Sequence, residues 1–184
     1  VFARWEAGDP EILELWQRTR QWSIDGFLQI YAELGEHFDV IFYESEFEES
    51  GKKLVQSLID RGLAIDERPE GAVVVKLDEL LGNKKETYRV LVVLRSDGTS
   101  LYATKDLPLA IRKFEEWDVD RSIYVIDVRQ SLYLRQIFKL LALMGFEQAS
   151  KCHHLSYEIV NLPGNVTMSS REGTVVMFND LLRE

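Results

Sequence analysis

The sequence predicts an α/β fold, a parallel sheet with flanking helices that carries a small α+β insertion, and three observations predict it. Between Leu101 and Gln130 the pattern reads strand, helix, strand, helix, with polar residues at both junctions; such alternation belongs to parallel sheets joined by right-handed crossovers. From Leu63 to Leu94 the grammar changes to short β-branched runs split by turns, with no long helix between them. Apolar residues make up 46% of 184 positions, which suits a real core in one domain with an insertion.

In chain order, Asp9-Pro10-Glu11 opens a helix with a cap, a proline in the first position and an early acid. Ile12, Leu15, Trp16, Thr19, Trp22, Phe27, Ile30, Tyr31 and Leu34 recur at helical spacing and Gly35 supplies the stop, while Ser23, Asp25 and Gly26 offer a break into two helices. The tryptophans read as core or interface residues. Phe38 to Tyr43 reads as a buried strand that runs into the acidic stretch Glu44 to Glu49. Taken alone, that stretch is a solvated loop or the approach to a helix from Gly51 to Arg61, capped by Ser50 and stopped by Gly62. Ala64–Ile65, Ala72–Val75 and Tyr88–Leu94 are strand candidates separated by Pro69-Glu70-Gly71 and Gly82-Asn83-Lys84-Lys85 turns. Residues 46 to about 86 are expected to form the insertion, with the last strand returning to the main sheet before the Ser96-Asp97-Gly98-Thr99 turn.

In the central stretch, Leu101, Tyr102 and Ala103 close a strand, Thr104 caps the helix that follows, Asp106 lies near its positive end and Pro108 sits in its first turn. That helix ends near Trp117; Arg121 to Ile126 is a buried strand; Arg129 and Gln130 head a second helix running to Met144, with Gly145 as its stop. His153 to Tyr157 and Ile159–Val160 are further strand candidates, and Leu162-Pro163-Gly164-Asn165 is a turn. In sheets of this kind ligands bind outside the carboxyl ends of the strands, and Tyr102, Asp106 and Gln130 fall at two such loops. Asp106 can equally be a helix-dipole residue, Tyr102 a core-edge ring and Gln130 a first-turn polar group. The segment VTMSSREGTVV, residues 166–176, is a small-polar loop leading to a helix capped by Asn179; its hydroxyls, backbone N–H groups and Arg171 suit a polyphosphate.

Charge narrows the function classes. With 31 acidic and 22 basic residues the net charge is −9, so this is not the electrostatic footprint of a nucleic-acid-binding module, and most contacts to any RNA partner are expected elsewhere. One cysteine, Cys152, permits no internal disulfide, and with His153 and His154 it finds no second Cys/His group at metal-ligand spacing. No signal peptide or apolar run near 18 residues is present, so a cytoplasmic protein without membrane contact is expected. Val1 opens in mid-pattern, and an excised piece of a longer chain is expected.

Together these pieces resemble arginyl-tRNA synthetase, a class I aminoacyl-tRNA synthetase. GDPEILELWQRTRQWS, FDVIFYESEF, SDGTSLYATKD, IYVIDVRQ and MSSREGTVV stand in that family's order and approximate spacing over nearly the whole chain. The resemblance implies that residues 1–45 and 87–184 belong to a Rossmann-like catalytic domain, with 46–86 as the insertion. The family's HIGH motif is expected before Val1 and its anticodon-binding domain after Glu184. By the same resemblance Glu44, Tyr102, Asp106 and Gln130 are expected to bind L-arginine, and Met168, Ser169, Ser170 and Arg171 to bind ATP. Ser169, Ser170 and Arg171 would stabilise the reacting phosphates. Ser170 departs from the general KMSKS pattern by replacing its second lysine. The activity implied is ATP-dependent charging of tRNA with arginine, with magnesium accompanying ATP and no metal held by the protein alone.

Residue chemistry points the same way. A guanidinium is a planar cation with five donors, and carboxylates are the acceptors that meet it in paired, charge-assisted bonds. Tyr102 could add a ring contact worth roughly 0.5–2 kcal/mol. Two alternatives stay open on the residues alone: an α/β nucleotidyl-transfer enzyme of other specificity, and a non-catalytic ligand-binding or interaction module.

Overall fold

A computed structural model describes residues 1, 4, 5, 7–161, 164, 166, 168, 173 and 175–182. The chain divides into two compact units: residues 1–41 with 162–184, and residues 42–161.

The first unit is dominated by helix α1 (Pro10–Leu34). Asp9 caps it as expected, its carboxylate accepting from the backbone N–H of Glu11 and Ile12 at 3.1 and 3.3 Å, and Gly35 ends it in the left-handed conformation at φ 71°. The break expected at Ser23 to Gly26 is absent. Polar groups there are satisfied along the helix instead: Ser23 Oγ donates to Thr19 O at 3.2 Å, and Gln21 Nε2 donates to Asp25 at 2.7 Å. Trp5 meets Trp16 edge-on at 5.4 Å and Tyr31 meets Phe38 at 4.8 Å. Of the four tryptophans in the chain none is buried, and Trp22 and Trp117 are exposed. The segment expected as a strand from Phe38 to Tyr43 bends at Asp39 and joins no ladder among the described residues, and Phe38, Val40 and Ile41 are exposed. A strand needs a neighbour to satisfy its backbone, and its hydrophobic pattern cannot supply one. Helix α6 (Phe178–Leu181) is capped at Met177, so Asn179 lies inside it.

The second unit begins with a 3-10 turn, Glu44–Phe47, that passes directly into α2 (Glu48–Asp60). The acidic run is therefore the helix start itself, where its charges favour the dipole, and Ser50 is not the cap. Strands β1 (Ile65–Asp66), β2 (Val73–Lys76) and β3 (Val90–Leu94) form an antiparallel sheet in that order, pairing Ile65 with Val74 and Val74 with Val92. Thus β3 stays in this sheet and does not return to a main one. Between β2 and β3, α3 (Leu77–Leu80) leads into a loop tied by Asp78, whose carboxylate accepts from the N–H groups of Thr87, Tyr88 and Arg89 at 2.9–3.0 Å.

Helix α4 (Tyr102–Trp117) leads to β4 (Ser122–Asp127), then a 3-10 turn, Val128–Gln130, and α5 (Ser131–Leu143). Strand β5 (Cys152–Tyr157) lies parallel to β4, with Ser122 opposite Cys152 and Asp127 opposite Tyr157. The βαβ unit is therefore β4–α5–β5, a mixed α/β fold with a parallel pair. Ile159–Val160 does not join it. His154 has a ring nitrogen 2.8 Å from Ile126 O, which ties it to the neighbouring strand. One core joins the antiparallel sheet to the helices: Val55 and Leu58 of α2, Val73, Val75 and Val93 of the antiparallel sheet, Leu107 of α4, and Ile137, Leu140 and Leu141 of α5 form one buried cluster. Arg121 to Ile126 is expected as a buried strand, but Ile123 and Val125 of β4, like Leu155 and Tyr157 of β5, are exposed. No described helix is long and apolar enough to cross a membrane.

Candidate functional site

The site grows from the start of α4. Leu101 is extended and Tyr102 is already helical, so the apolar run Leu101 to Ala103 enters the helix and does not close a strand. Thr104 is consequently the third helical residue and not the cap. Its fully buried hydroxyl accepts from Leu101 N–H at 2.8 Å and donates to Val93 O at 2.5 Å, fastening the helix start to β3. Pro108 also shifts, from the first turn to the helix interior. An interior proline leaves the carbonyl four residues back without its helix donor, here that of Thr104. Gly51 of α2 packs against that same carbonyl, where a Cβ on residue 51 would lie 2.2 Å from Thr104 O. The close approach of two helices thus fixes the turn that carries Tyr102 and Asp106.

Tyr102, Asp106, Ile126, Gln130 and Tyr133 line one cavity of about 260 Å³, just below the ~300–1,000 Å³ usual for small-molecule sites. Three of the four positions expected to bind arginine therefore meet there. Asp106 is half-buried and accepts from the Tyr133 hydroxyl at 2.6 Å. Burial pushes its carboxyl above the usual range; the Tyr133 hydrogen bond opposes this, the Glu44 charge adds to it, and Lys113 and Lys105 oppose it. The dipole alternative loses ground, because Asp106 is the fifth helical residue and its oxygen is held by a side chain on another helix. Gln130 ends the 3-10 turn, and Tyr102 is 69% exposed, a ring free to close on a ligand.

Glu44 does not line the cavity. Its carboxylate is exposed and lies 3.4 Å from Lys105 Nζ, which also sits 3.5 Å from Glu48. Burial pushes Glu48 upward, but the Ser100 hydroxyl, Lys52 and Lys105 outweigh it and hold the carboxyl below its usual range. Arg129, beside Gln130 in sequence, is bound by Asp127 at 2.9 and 3.0 Å, and it does not line the cavity. Of the phosphate-binding positions, Met168 is partly exposed; Ser169, Ser170 and Arg171 lie outside the described residues, as does most of the turn at 162–165. The residue that sequence reading missed is Tyr133. Its signal was spacing: Gln130 and Tyr133 stand three apart at a helix start and share a face.

The cavity is flanked by the Asp106 carboxyl, the Gln130 amide and the exposed Tyr102 ring, at the end of β4 in an α/β fold. All 184 residues match the family model for tRNA synthetases class I (R), catalytic domain; the chain belongs to that family. It is 40% identical to the arginine-tRNA ligase of Flavobacterium psychrophilum over 98% of this chain and 29% of that protein, and 39% identical to a probable mitochondrial arginine-tRNA ligase of Bos taurus over 100% and 30%. The fold is that of an arginyl-tRNA synthetase structure from Thermus thermophilus, with TM-score 0.62 and 22% identity over 94% of this chain and 35% of that one. A Plasmodium falciparum arginyl-tRNA synthetase aligns at TM-score 0.67 and 18% identity over 85% and 26%. The chain spans about 30% of the length of the curated relatives it matches.

Proposed function

We propose that this chain is part of an enzyme that charges tRNA with L-arginine at the expense of ATP, and that Glu44, Tyr102, Asp106 and Gln130 bind the arginine. The observation that carries the reading is the convergence of Tyr102, Asp106 and Gln130 on one cavity in a chain of this family. The guanidinium enters the cavity against Asp106, the Tyr102 ring closes over it and the Gln130 amide oxygen accepts from it. Glu44 turns from Lys105 to supply the second carboxylate, and lysine, with fewer donors, leaves acceptors unpaired.

Held in this way, the arginine carboxylate attacks the α-phosphate of ATP in line, forming arginyl-adenylate and releasing pyrophosphate. The tRNA terminal ribose hydroxyl then attacks the arginyl carbonyl carbon and AMP leaves. Such chemistry asks for placement and charge stabilisation, without a protein nucleophile. Met168, Ser169, Ser170 and Arg171 are assigned to the ATP phosphates. Magnesium would accompany ATP and offset the charge of its phosphates, as it commonly does. Residues 1–45 and 87–184 are assigned to the catalytic domain, 46–86 to its insertion, and the enzyme to the cytoplasm.

The test is titration of L-arginine and ATP on a full-length enzyme containing this chain. Losing a partly desolvated, charge-assisted bond costs roughly 1.5–3 kcal/mol, so Asp106→Asn should weaken arginine about tenfold or more with ATP unchanged. Glu44→Gln should cost less, because that carboxylate is exposed and shared with Lys105. Unchanged arginine affinity in a folded Asp106→Asn enzyme would rule the site out.

A further inference from the structure

We propose that Tyr133 is the positioning residue of this site, a neutral donor that fixes Asp106 for a guanidinium without cancelling its charge; the inference rests on reading the cavity as the arginine site. Tyr133 Oη donates to Asp106 Oδ2 at 2.6 Å, and the Asp106 carboxylate makes no other side-chain hydrogen bond among the described residues. Oδ1 is left as the acceptor still to be used. Both side chains line the cavity.

The charged surroundings explain why a phenol suits this position. Two lysines of α4 act on Asp106, but neither pairs with it: Lys105 is turned to Glu44 and Glu48 at 3.4 and 3.5 Å, and Lys113 Nζ stands 4.4 Å from the centre of the Tyr124 ring on β4. Cys152 of β5 interacts with Lys113, the Glu44 charge acts on Asp106 from the 3-10 turn, and Tyr124 feels the Asp106 charge. A lysine bonded to Asp106 would neutralise it and compete with a cationic ligand. Tyr133 cannot do so, and burial beside Asp106 pushes its own ionisation far above the ordinary phenol range, so it remains a donor at every working pH. The carboxylate is oriented and keeps its charge.

The consequence is a signature in pH. The Tyr133 bond favours the ionised form of Asp106 against burial, so removing it lets the carboxyl take up its proton at higher pH. In the full-length enzyme, Tyr133→Phe keeps the ring and its packing, and the acid limb of kcat/KM for arginine should move up by about one pH unit, the worth of one hydrogen bond to a charge. On the plateau kcat/KM should fall a few-fold, with KM for ATP unchanged. Placing 3-fluorotyrosine at position 133 keeps a neutral and slightly stronger donor and should hold the limb at or just below wild type; a thermal melt accompanies each variant. An acid limb unmoved in folded Tyr133→Phe overturns the inference, as does a limb that the fluoro analogue moves upward. If Tyr133→Phe fails to fold, the fluoro analogue decides: a limb at or below wild type supports the inference and one moved upward overturns it. Asp106→Asn separates the two levels. If it binds arginine normally, the site itself fails; if it is impaired while the Tyr133→Phe limb stays put, only the role of Tyr133 fails.

Discussion

Replacing Gly51 with alanine sets two opposed effects against each other at the foundation of the site. Alanine is the better helix former by about 1 kcal/mol, and residue 51 lies within α2, so propensity alone favours the substitution. The new methyl, however, would lie 2.2 Å from Thr104 O and 2.9 Å from Thr104 C. These are backbone atoms at the start of α4 and cannot rotate away. Reaching an ordinary contact needs a displacement on the order of 1 Å between two helices in a close-packed interior, and overpacking of that kind costs ~1–3 kcal/mol. The obstacle is backbone, so the upper part of the range applies, leaving a net loss of roughly 2 kcal/mol and a melting temperature lower by about 4–8 °C. The same displacement moves the turn carrying Tyr102 and Asp106, so KM for arginine should rise while KM for ATP holds. A melt and an arginine titration on the full-length Gly51→Ala enzyme provide both readouts. A variant that melts at or above wild type with an unaltered arginine KM would refute the close approach and leave propensity in charge.

Thr104→Val keeps the shape and removes the hydroxyl shared by Leu101 N–H and Val93 O; it should cost ~1–3 kcal/mol in denaturant unfolding, whereas Thr104→Ser stays close to wild type. Asp106 should carry a stability cost. Its folded carboxyl lies above the ordinary value of 3.8, so its ionisation opposes folding, with the penalty absent below that value and complete above the folded one. Asp106→Asn should therefore melt higher than wild type near neutral pH, and the gap should close as pH falls through the folded range; melts across the acid range check this.

Local patterns in the sequence are reliable where both partners of an interaction lie close along the chain. The Asp9 cap, the Gly35 stop, the strand at 122–127 and the helix after Gln130 all have their causes within a few residues. The same patterns mislead where the cause lies far along the chain. Thr104 has the chemistry of a cap, yet its hydroxyl is bound to β3, and Pro108 looks like a first-turn proline because the close-packed Gly51 that accompanies its displaced position belongs to another helix. Phe38 to Tyr43 has the composition of a strand, but a ladder also needs a partner. That Tyr102, Asp106 and Gln130 lie near one another is legible from their places close to two helix starts, whereas the displacement of Glu44 toward Lys105 depends on an ion pair between elements. Tyr133 is hidden because an amphipathic helix makes an inward tyrosine look like core.

The measurement that bears most directly on the cavity is a crystal structure of the full-length enzyme with L-arginine. The guanidinium should lie between Tyr102, Asp106 and Gln130, with Asp106 Oδ1 accepting from it at about 2.7–2.9 Å while Oδ2 keeps its bond to Tyr133. Arginine held elsewhere, with this cavity left to solvent, would contradict the assignment.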